Sequence, residues 1–471
     1  MGEFETTLGR VLEQRIPGCR GLVSAERLSG GASQETYRVV IKTDAGDRRL
    51  AMRRAPGGHS PLPTSGQPGL ATEALLMRAA RAVGVPEPEV LWVLEPGDGL
   101  GEGFLMEWLE GEALGAKLVR DPAFDAVRPK LAEQCGEILA RIHAIDLDAT
   151  GLRTRLAHTA PESYVRQTWQ RYQALGTPQP MIDFSARWLL DHLPASYDER
   201  LVHNDFRNGN MMVSPETGVV AVLDWEVAHI GDPMRDLGWI CTNSWRFGRS
   251  DLPVGGFGTY ADLFRGYEKA SGKPVDPARV KFWEVFGSFW WSVGCLGMAE
   301  HYRTGPDKTV ERPAIGRRTS ECQVDCVNLL IPGPVELLEP DPQLSTVDMP
   351  RLDELVTSVR DYLRADVMNA TRGRTQFLAR VASNSLDVVL RELAVGEKHR
   401  ARQTERLGEL LREKGGLEPL RGRLVQRLRD GSIALDHPGL AEYLRESVVN
   451  QVAIDQPSYS GFKTALANAR S

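Results

Sequence analysis

The stretch that decides the reading runs Leu201-Val202-His203-Asn204-Asp205-Phe206-Arg207-Asn208-Gly209-Asn210-Met211-Met212-Val213 and resumes at Val219-Val220-Ala221-Val222-Leu223-Asp224-Trp225-Glu226. Short apolar runs flank the two polar clusters, so the polar residues sit on loops whose ends are pinned to strands, as catalytic precision requires. Phosphoryl transfer from a nucleotide needs a carboxylate for the proton of the attacking hydroxyl, a metal on the phosphate oxygens, and groups that fix that metal. The pattern H-x-D-x-x-x-x-N offers Asp205 for the first task and Asn210 as a metal ligand, and a strand then delivers Asp224 as a second ligand, 19 residues after Asp205. Asn, Asp and Gly also gather in ordinary hairpin turns. A turn, however, needs neither His203 nor an apolar strand that ends in an acid.

On the N-terminal side, alternation marks strands at 23–28, 36–43 and 48–55, joined by the turn-rich SGGASQ and by DAGD, which is an antiparallel meander. A Gly- and Pro-dense loop over 55–69, a helix over 71–83 and further strands within 85–95 and 103–111 complete a small sheet with one inserted helix. From residue 112 the periodicity is helical, with helices at 127–144, 161–174, 181–193, 257–271 and 277–301. Within the last of these, Phe282, Trp283, Phe286, Phe289 and Trp290, with Trp291 beside them, read as a packed core face. Prolines 332, 334, 340, 342 and 350 mark a linker over 332–350. Beyond it Leu352, Leu355, Val356, Val359, Leu363 and Val367 follow amphipathic helix spacing, and helices at 374–394, 398–413 and 437–452 complete an all-helical domain over 351–471.

Length and composition set the bounds. At about 150 residues per domain, 471 residues suggest about three units. A hydrophobic content of 42% and a charged content of 25% are those of an ordinary globular chain. The net charge of −6 gives no pull toward nucleic acid or an anionic membrane. From residue 351 the chain carries 20 Lys and Arg against 16 Asp and Glu, whereas the part before it is acidic, which marks the C-terminal region as separate. Six cysteines without a C-x-x-C pair argue against a disulfide framework and fit a reducing cytoplasm. Cys322 and Cys326 share a helix face without two further ligands at zinc spacing, so they read as core residues. The N-terminal MGEFETTLGRVLEQR lacks the apolar run of a signal peptide, and Phe282–Met298, broken by Glu284, is too short to span a bilayer. No G-x-x-x-x-G-K-[ST] occurs, which excludes a P-loop enzyme.

LSGGASQETY, LAMRRAPGG, HNDFRNGN and LDWEVAHIGDPMRDLGW together resemble the aminoglycoside phosphotransferase and choline kinase-like branch of the protein-kinase-like fold. The resemblance covers about residues 20–330 and is nearest to the kinase-like domains associated with acyl-CoA dehydrogenases. It implies an α+β bilobal fold, with an antiparallel-sheet N-lobe over 1–108, a mostly helical C-lobe over 109–331 and the helical accessory domain beyond. It also implies that Ser29, Gly30, Gly31, Ala32 and Ser33 fold over nucleotide phosphates, where glycines let backbone N–H groups approach closely. Arg53 stands where protein kinases carry a phosphate-binding lysine, preferred over Arg54 because it lies two beyond apolar Ala51, and Glu73 is its partner. Arg207 takes the position of a cation near the transferring phosphoryl group, and His203 supports the loop by hydrogen bonds. Glu226 is placed near the metal, Asp236 braces the loop backbone, and Glu107 and Trp108 form the hinge that meets the adenine.

The activity implied is ATP- and Mg²⁺-dependent phosphorylation of a hydroxyl on a small molecule, with no nucleic-acid or membrane partner. A hydroxyacyl-CoA or related acyl metabolite is the first acceptor to consider and an antibiotic the second. A non-catalytic nucleotide-binding scaffold is the rival of a different class. The 351–471 domain is left with homo-oligomerisation, docking to an acyl-CoA dehydrogenase-type partner, or covering the site as its candidate roles.

Overall fold

In a computed structural model of the chain, residues 2–28, 34–59, 68–340 and 349–469 are described. The first five strands are β1 (Gly21–Arg27), β2 (Glu35–Thr43), β3 (Gly46–Arg54), β4 (Val90–Val93) and β5 (Gly103–Glu107). They form one antiparallel sheet in the order β1-β2-β3-β5-β4. The β2–β3 hairpin closes with Thr43 opposite Gly46, whose φ of 112° is a conformation that glycine adopts without strain. Period-2 alternation then sorts the side chains: Val39, Ile41, Leu50, Met52 and Leu105 bury one face against Leu8, Val11 and Leu12 of the helix Glu3–Arg15. Each such side chain contributes about 1.5–3 kcal/mol on burial. Arg53, between Met52 and Arg54, is thereby turned to the other face.

Two compact units partition the chain. The first takes in residues up to Pro161, Pro194–Cys241 and Trp245–Trp283. Besides the sheet it holds the helix Leu70–Ala82 and the helices Arg128–His143 and Tyr260–Ser271, which pack closely through glycine. A Cβ on Gly136 would lie 2.2 Å from the Leu263 carbonyl oxygen, and one on Gly266 would lie 2.0 Å from that of Glu133. Two small sheets frame the polar loops: β6 (Arg200–Val202) with β9 (His229–Gly231), and β7 (Met211–Ser214) with β8 (Gly218–Val222).

The second unit comprises Glu162–Leu193, Thr242–Ser244 and the chain from Glu284 onward. Its core joins Met181 and Phe184 of the helix Pro180–Asp191 and Val324 and Val327 of Thr319–Leu330 to three long C-terminal helices. These are Gly373–Leu411, Leu417–Asp430 and Leu440–Asp455, which bring Leu407, Leu424, Leu428 and Val449. Val324, Cys326 and Val327, assigned from sequence to the 109–331 lobe, thus share a core with the 351–471 region. The described part of the 332–350 segment lies on that core through Val335 and Leu337, and the Leu338 N–H donates to Asn450 at 2.9 Å.

Other differences from the sequence reading have local causes. The two helices expected at 374–394 and 398–413 are one, because Gly396 is buried within it instead of ending it. The helices Glu311–Arg317, Leu417–Asp430 and Ser460–Asn468 are additional, and Thr319–Leu330 puts Cys322 and Cys326 on a helix as their spacing implies. Phe282, Trp283, Phe286 and Phe289 are core as expected, whereas Trp290 and Trp291 are only partly buried. All six cysteines are free and buried. Among the described residues no helix is long and apolar enough to cross a membrane.

Candidate active site

The loop between β6 and β7 is built on a buried acid. Asp236, fully buried at the start of the helix Met234–Cys241, accepts the backbone N–H groups of His203 at 2.8 Å and Asn204 at 2.7 Å. His143, from the Arg128–His143 helix, touches the same carboxylate at 3.1 Å and the Tyr267 hydroxyl at 3.0 Å. Burial alone would raise the Asp236 pKa, but His143 and the backbone donors hold it below the ordinary value. The loop is therefore anchored on a charge that persists at neutral pH. Asn204, with φ of 71°, occupies the left-handed region that non-glycine residues seldom enter, and this bracing holds it there. His203 is buried against Trp225, and its Nε2 meets the Leu223 carbonyl at 3.1 Å. Burial lowers its pKa, so it is neutral and structural in character.

From this base Asp205 is held on every side. Its Oδ1 accepts Trp239 Nε1 at 2.7 Å and Arg207 Nε at 2.9 Å, and its Oδ2 accepts the Asn210 amide at 2.5 Å. The Arg207 guanidinium lies 4.3 Å from the Trp245 ring centroid, which fixes that cation beside the carboxylate. Asn210 spends its nitrogen on Asp205, so its carbonyl oxygen is the atom it can offer to a metal.

Asp224 follows β8 with a φ of 69°, a second strained residue in the same region. Arg53 Nη2 reaches it at 2.7 Å across 171 positions of sequence, Arg53 Nη1 pairs with Glu73 at 3.1 Å, and Glu226 lies 3.6 Å from Nη2. Burial pushes the Glu73 pKa up to about 7, with Arg53 opposing and Asp224 and Glu226 reinforcing the rise. Burial also works against the Arg53 charge, yet Glu73 and Asp224 raise its pKa overall. Arg54 faces the other way, donating to the Leu100 carbonyl at 2.7 Å.

Of the residues singled out in sequence, the structure brings together His203, Asp205, Arg207 and Asn210 on one loop, and Asp224, Glu226, Arg53 and Glu73 in a second cluster. Glu107 and Trp108 behave differently. Glu107 accepts the Glu89 N–H at 3.3 Å and Trp108 donates to Glu110 at 3.0 Å, both local contacts at the end of β5. Gly30, Gly31, Ala32 and Ser33 lie outside the described residues. Among the described residues no three His, Cys, Asp or Glu side chains form a ready metal cluster. The oxygens of Asn210, Asp224 and Glu226 are nonetheless the hard donors that magnesium takes. Arg53 Nε, buried without a hydrogen-bond partner, leaves a donor for an incoming anion.

Three contributors escaped sequence reasoning. Trp239, which closes the motif LDWEVAHIGDPMRDLGW but was given no role, and His143, which nothing local marks, reach the loop from helices 34 and 93 positions from their partners Asp205 and Asp236. Glu87, fully enclosed, accepts Trp225 Nε1 at 3.0 Å, and burial holds its pKa well above the ordinary value.

Comparison with known proteins agrees with this architecture. The family described as phosphotransferase enzyme family matches residues 24–273, and a domain of unknown function (DUF6285) matches residues 369–459. The chain is 30% identical over 309 residues to acyl-CoA dehydrogenase family member 10 of Mus musculus, covering 61% of this chain and 27% of that protein. It is 31% identical over 250 residues to acyl-CoA dehydrogenase family member 11 of Gallus gallus, covering 50% and 30%. The chain thus spans less than a third of the length of these relatives. A crystal structure of a candidate aminoglycoside phosphotransferase from Ralstonia eutropha aligns with a TM-score of 0.54 at 22% identity, over 68% of this chain and 95% of that one. The chain belongs to the phosphotransferase enzyme family, whose members pass a phosphoryl group to an acceptor hydroxyl, and it is built on the kinase-like fold.

Proposed function

We propose that the protein is an ATP- and magnesium-dependent kinase of a small hydroxylated molecule. The observation that carries this reading is the meeting of Arg53, 171 residues away in sequence, with Asp224 at 2.7 Å, beside a loop that orients Asp205 and Asn210. Asp205 takes the proton of the acceptor hydroxyl as its oxygen bonds to the γ-phosphorus and the bond to ADP breaks. Trp239, Arg207 and Asn210 hold the carboxylate in one orientation for that task. Arg207, kept in place by Trp245, faces the charge on the transferring oxygens. Arg53, positioned by Glu73, binds the nucleotide phosphates through donors that include its free Nε. Asn210 and Asp224, with Glu226 close by, would hold magnesium, which supplies charge neutralisation on the phosphate oxygens when bound.

The acceptor we favour is a hydroxylated acyl thioester or acid, because the curated relatives are named acyl-CoA dehydrogenase family members 10 and 11. A reducing, cytoplasmic setting is in keeping with six free cysteines. The test is incubation of the full chain with Mg-ATP and hydroxyacyl-CoAs, hydroxy acids, aminoglycosides, macrolides, choline and sugars, with products read by mass spectrometry. A phosphorylated hydroxyacyl product that falls by about 10²–10⁴ in rate in Asp205→Asn is the expected result. A product from an aminoglycoside alone would replace the acceptor class, and no product from any acceptor would overturn the kinase reading.

A further inference from the structure

A cavity of about 510 Å³ lies inside the helical unit, within the 300–1,000 Å³ range of small-molecule sites. Its walls come from the helices Pro180–Asp191, Thr319–Leu330, Leu417–Asp430 and Leu440–Asp455 together with the end of Pro277–Thr304 and the helix Glu311–Arg317. None of the phosphoryl-transfer residues named above lines it. The helix Thr319–Leu330 turns Ser320 and Gln323 toward it, while Asp325 on another face of that helix bonds Asn243 at 2.7 Å.

Part of the lining is apolar: Met181, Leu296, Leu444 and Val448. The lining also carries Arg303, Arg317 and Arg421, of which Arg303 pairs with Glu300 at 3.7 Å and Arg317 with Glu392 at 3.1 Å, and one carboxylate, Asp455. That carboxylate is already engaged, by Arg317 at 2.9 Å and by Gln451 at 3.2 Å. Arg421 donates to the neutral Gln403 amide oxygen, so no carboxylate among the described residues balances its charge. Beside it the Tyr443 ring closes the wall, its enclosed hydroxyl interacting with Ser447 and Arg421.

We infer that this cavity binds a small organic anion with an apolar body, its head group on Arg421 and its body against Met181, Leu444 and Val448. An arginine fork matches a carboxylate or a phosphate ester equally, so the head group can be either. A cation is disfavoured by Arg421, which pairs with no carboxylate among the described residues, and a neutral ligand would leave that charge unmatched.

Isothermal titration calorimetry on the full chain, with octanoate, phenyl phosphate and octylammonium as probes, tests this inference. One site per chain for octanoate or phenyl phosphate, and none for octylammonium, is the expected result, and the preferred anion identifies the head group. Arg421→Met should weaken that binding at least about tenfold, the worth of a charge-assisted hydrogen bond. Val448→Trp should abolish it by filling the space. Arg303→Glu, an exposed change at the rim that leaves the packing alone, should weaken it in the same direction. Absence of binding by both anions, equal binding of octylammonium, or binding indifferent to Arg421→Met and Arg303→Glu in folded protein would each overturn the inference.

Discussion

Trp239 is the residue on which the orientation of Asp205 depends most visibly, since its indole donates to Oδ1 at 2.7 Å and can do nothing but donate. Trp239→Phe keeps the packing of the ring and removes that donor. A hydrogen bond to a charged group is worth roughly 1.5–3 kcal/mol, so kcat should fall by about one to two orders of magnitude while KM for the acceptor stays nearly constant. Steady-state kinetics against Mg-ATP and the acceptor check this, and a change confined to KM would point to a binding role instead. Glu73 gives a prediction in stability. Its carboxyl titrates near the ordinary 4.5 when unfolded and at about 7 when folded, so between those values the native state holds the extra proton. Stability therefore falls as pH rises from 4.5 to about 7 and levels off above, and Glu73→Gln should remove that slope from urea unfolding series. The pattern from His203 to Glu226 was legible in sequence because its chemistry is compressed into one loop and one strand end. Trp239, His143 and Glu87 were not, because each acts through a contact made only when distant helices and strands pack.

The helix Leu352–Tyr362 tests what an amphipathic pattern guarantees. Its spacing announces an apolar face, yet Leu352, Leu355 and Val359 are 60%, 50% and 52% exposed. Periodicity therefore reports the helix and leaves its burial open, since spacing marks a face without saying that anything covers it. Leu355→Ser should cost no more than about 0.5 kcal/mol, as exposed substitutions do, whereas Leu424→Ala in the shared core should cost about 2–5 kcal/mol. Chemical denaturation of the two variants separates them, and equal costs would refute the burial described here. The strands of the first sheet were easier to read, because a half-buried strand writes its exposure into alternate residues. Gly396 lies buried inside a 39-residue helix, where its cost of about 1 kcal/mol is absorbed by the packing.

At the scale of the molecule, the question is whether the C-terminal region is an appendage. Composition and the proline-rich segment at 332–350 describe one, but the core tells against it. Met181, Phe184, Val324 and Val327, which precede that segment, are buried in one cluster with Leu407, Leu424, Leu428 and Val449, which follow it. Polar contacts run the same way: Arg429 Nε donates to the fully buried Asp183 at 2.8 Å, and Arg187 donates to the Leu428 carbonyl at 2.7 Å. Burial raises the Asp183 pKa, and Arg429 is the charge that answers it, followed by Trp169 and Tyr172. Arg429→Leu would leave that carboxylate enclosed without its cation, a loss of about 3–5 kcal/mol, even though the substituted residue lies 246 positions away in the other sequence region. Removing residues 351–471 altogether would expose the apolar side chains of Pro180–Asp191 and Thr319–Leu330 as well. The truncated chain should therefore melt well below the full one or aggregate on expression, while Arg429→Leu gives a milder shift in the same direction. A truncated protein with the full melting temperature would mean that the two regions fold independently. Such independence is what linker composition alone suggests, and a shared hydrophobic core forbids it.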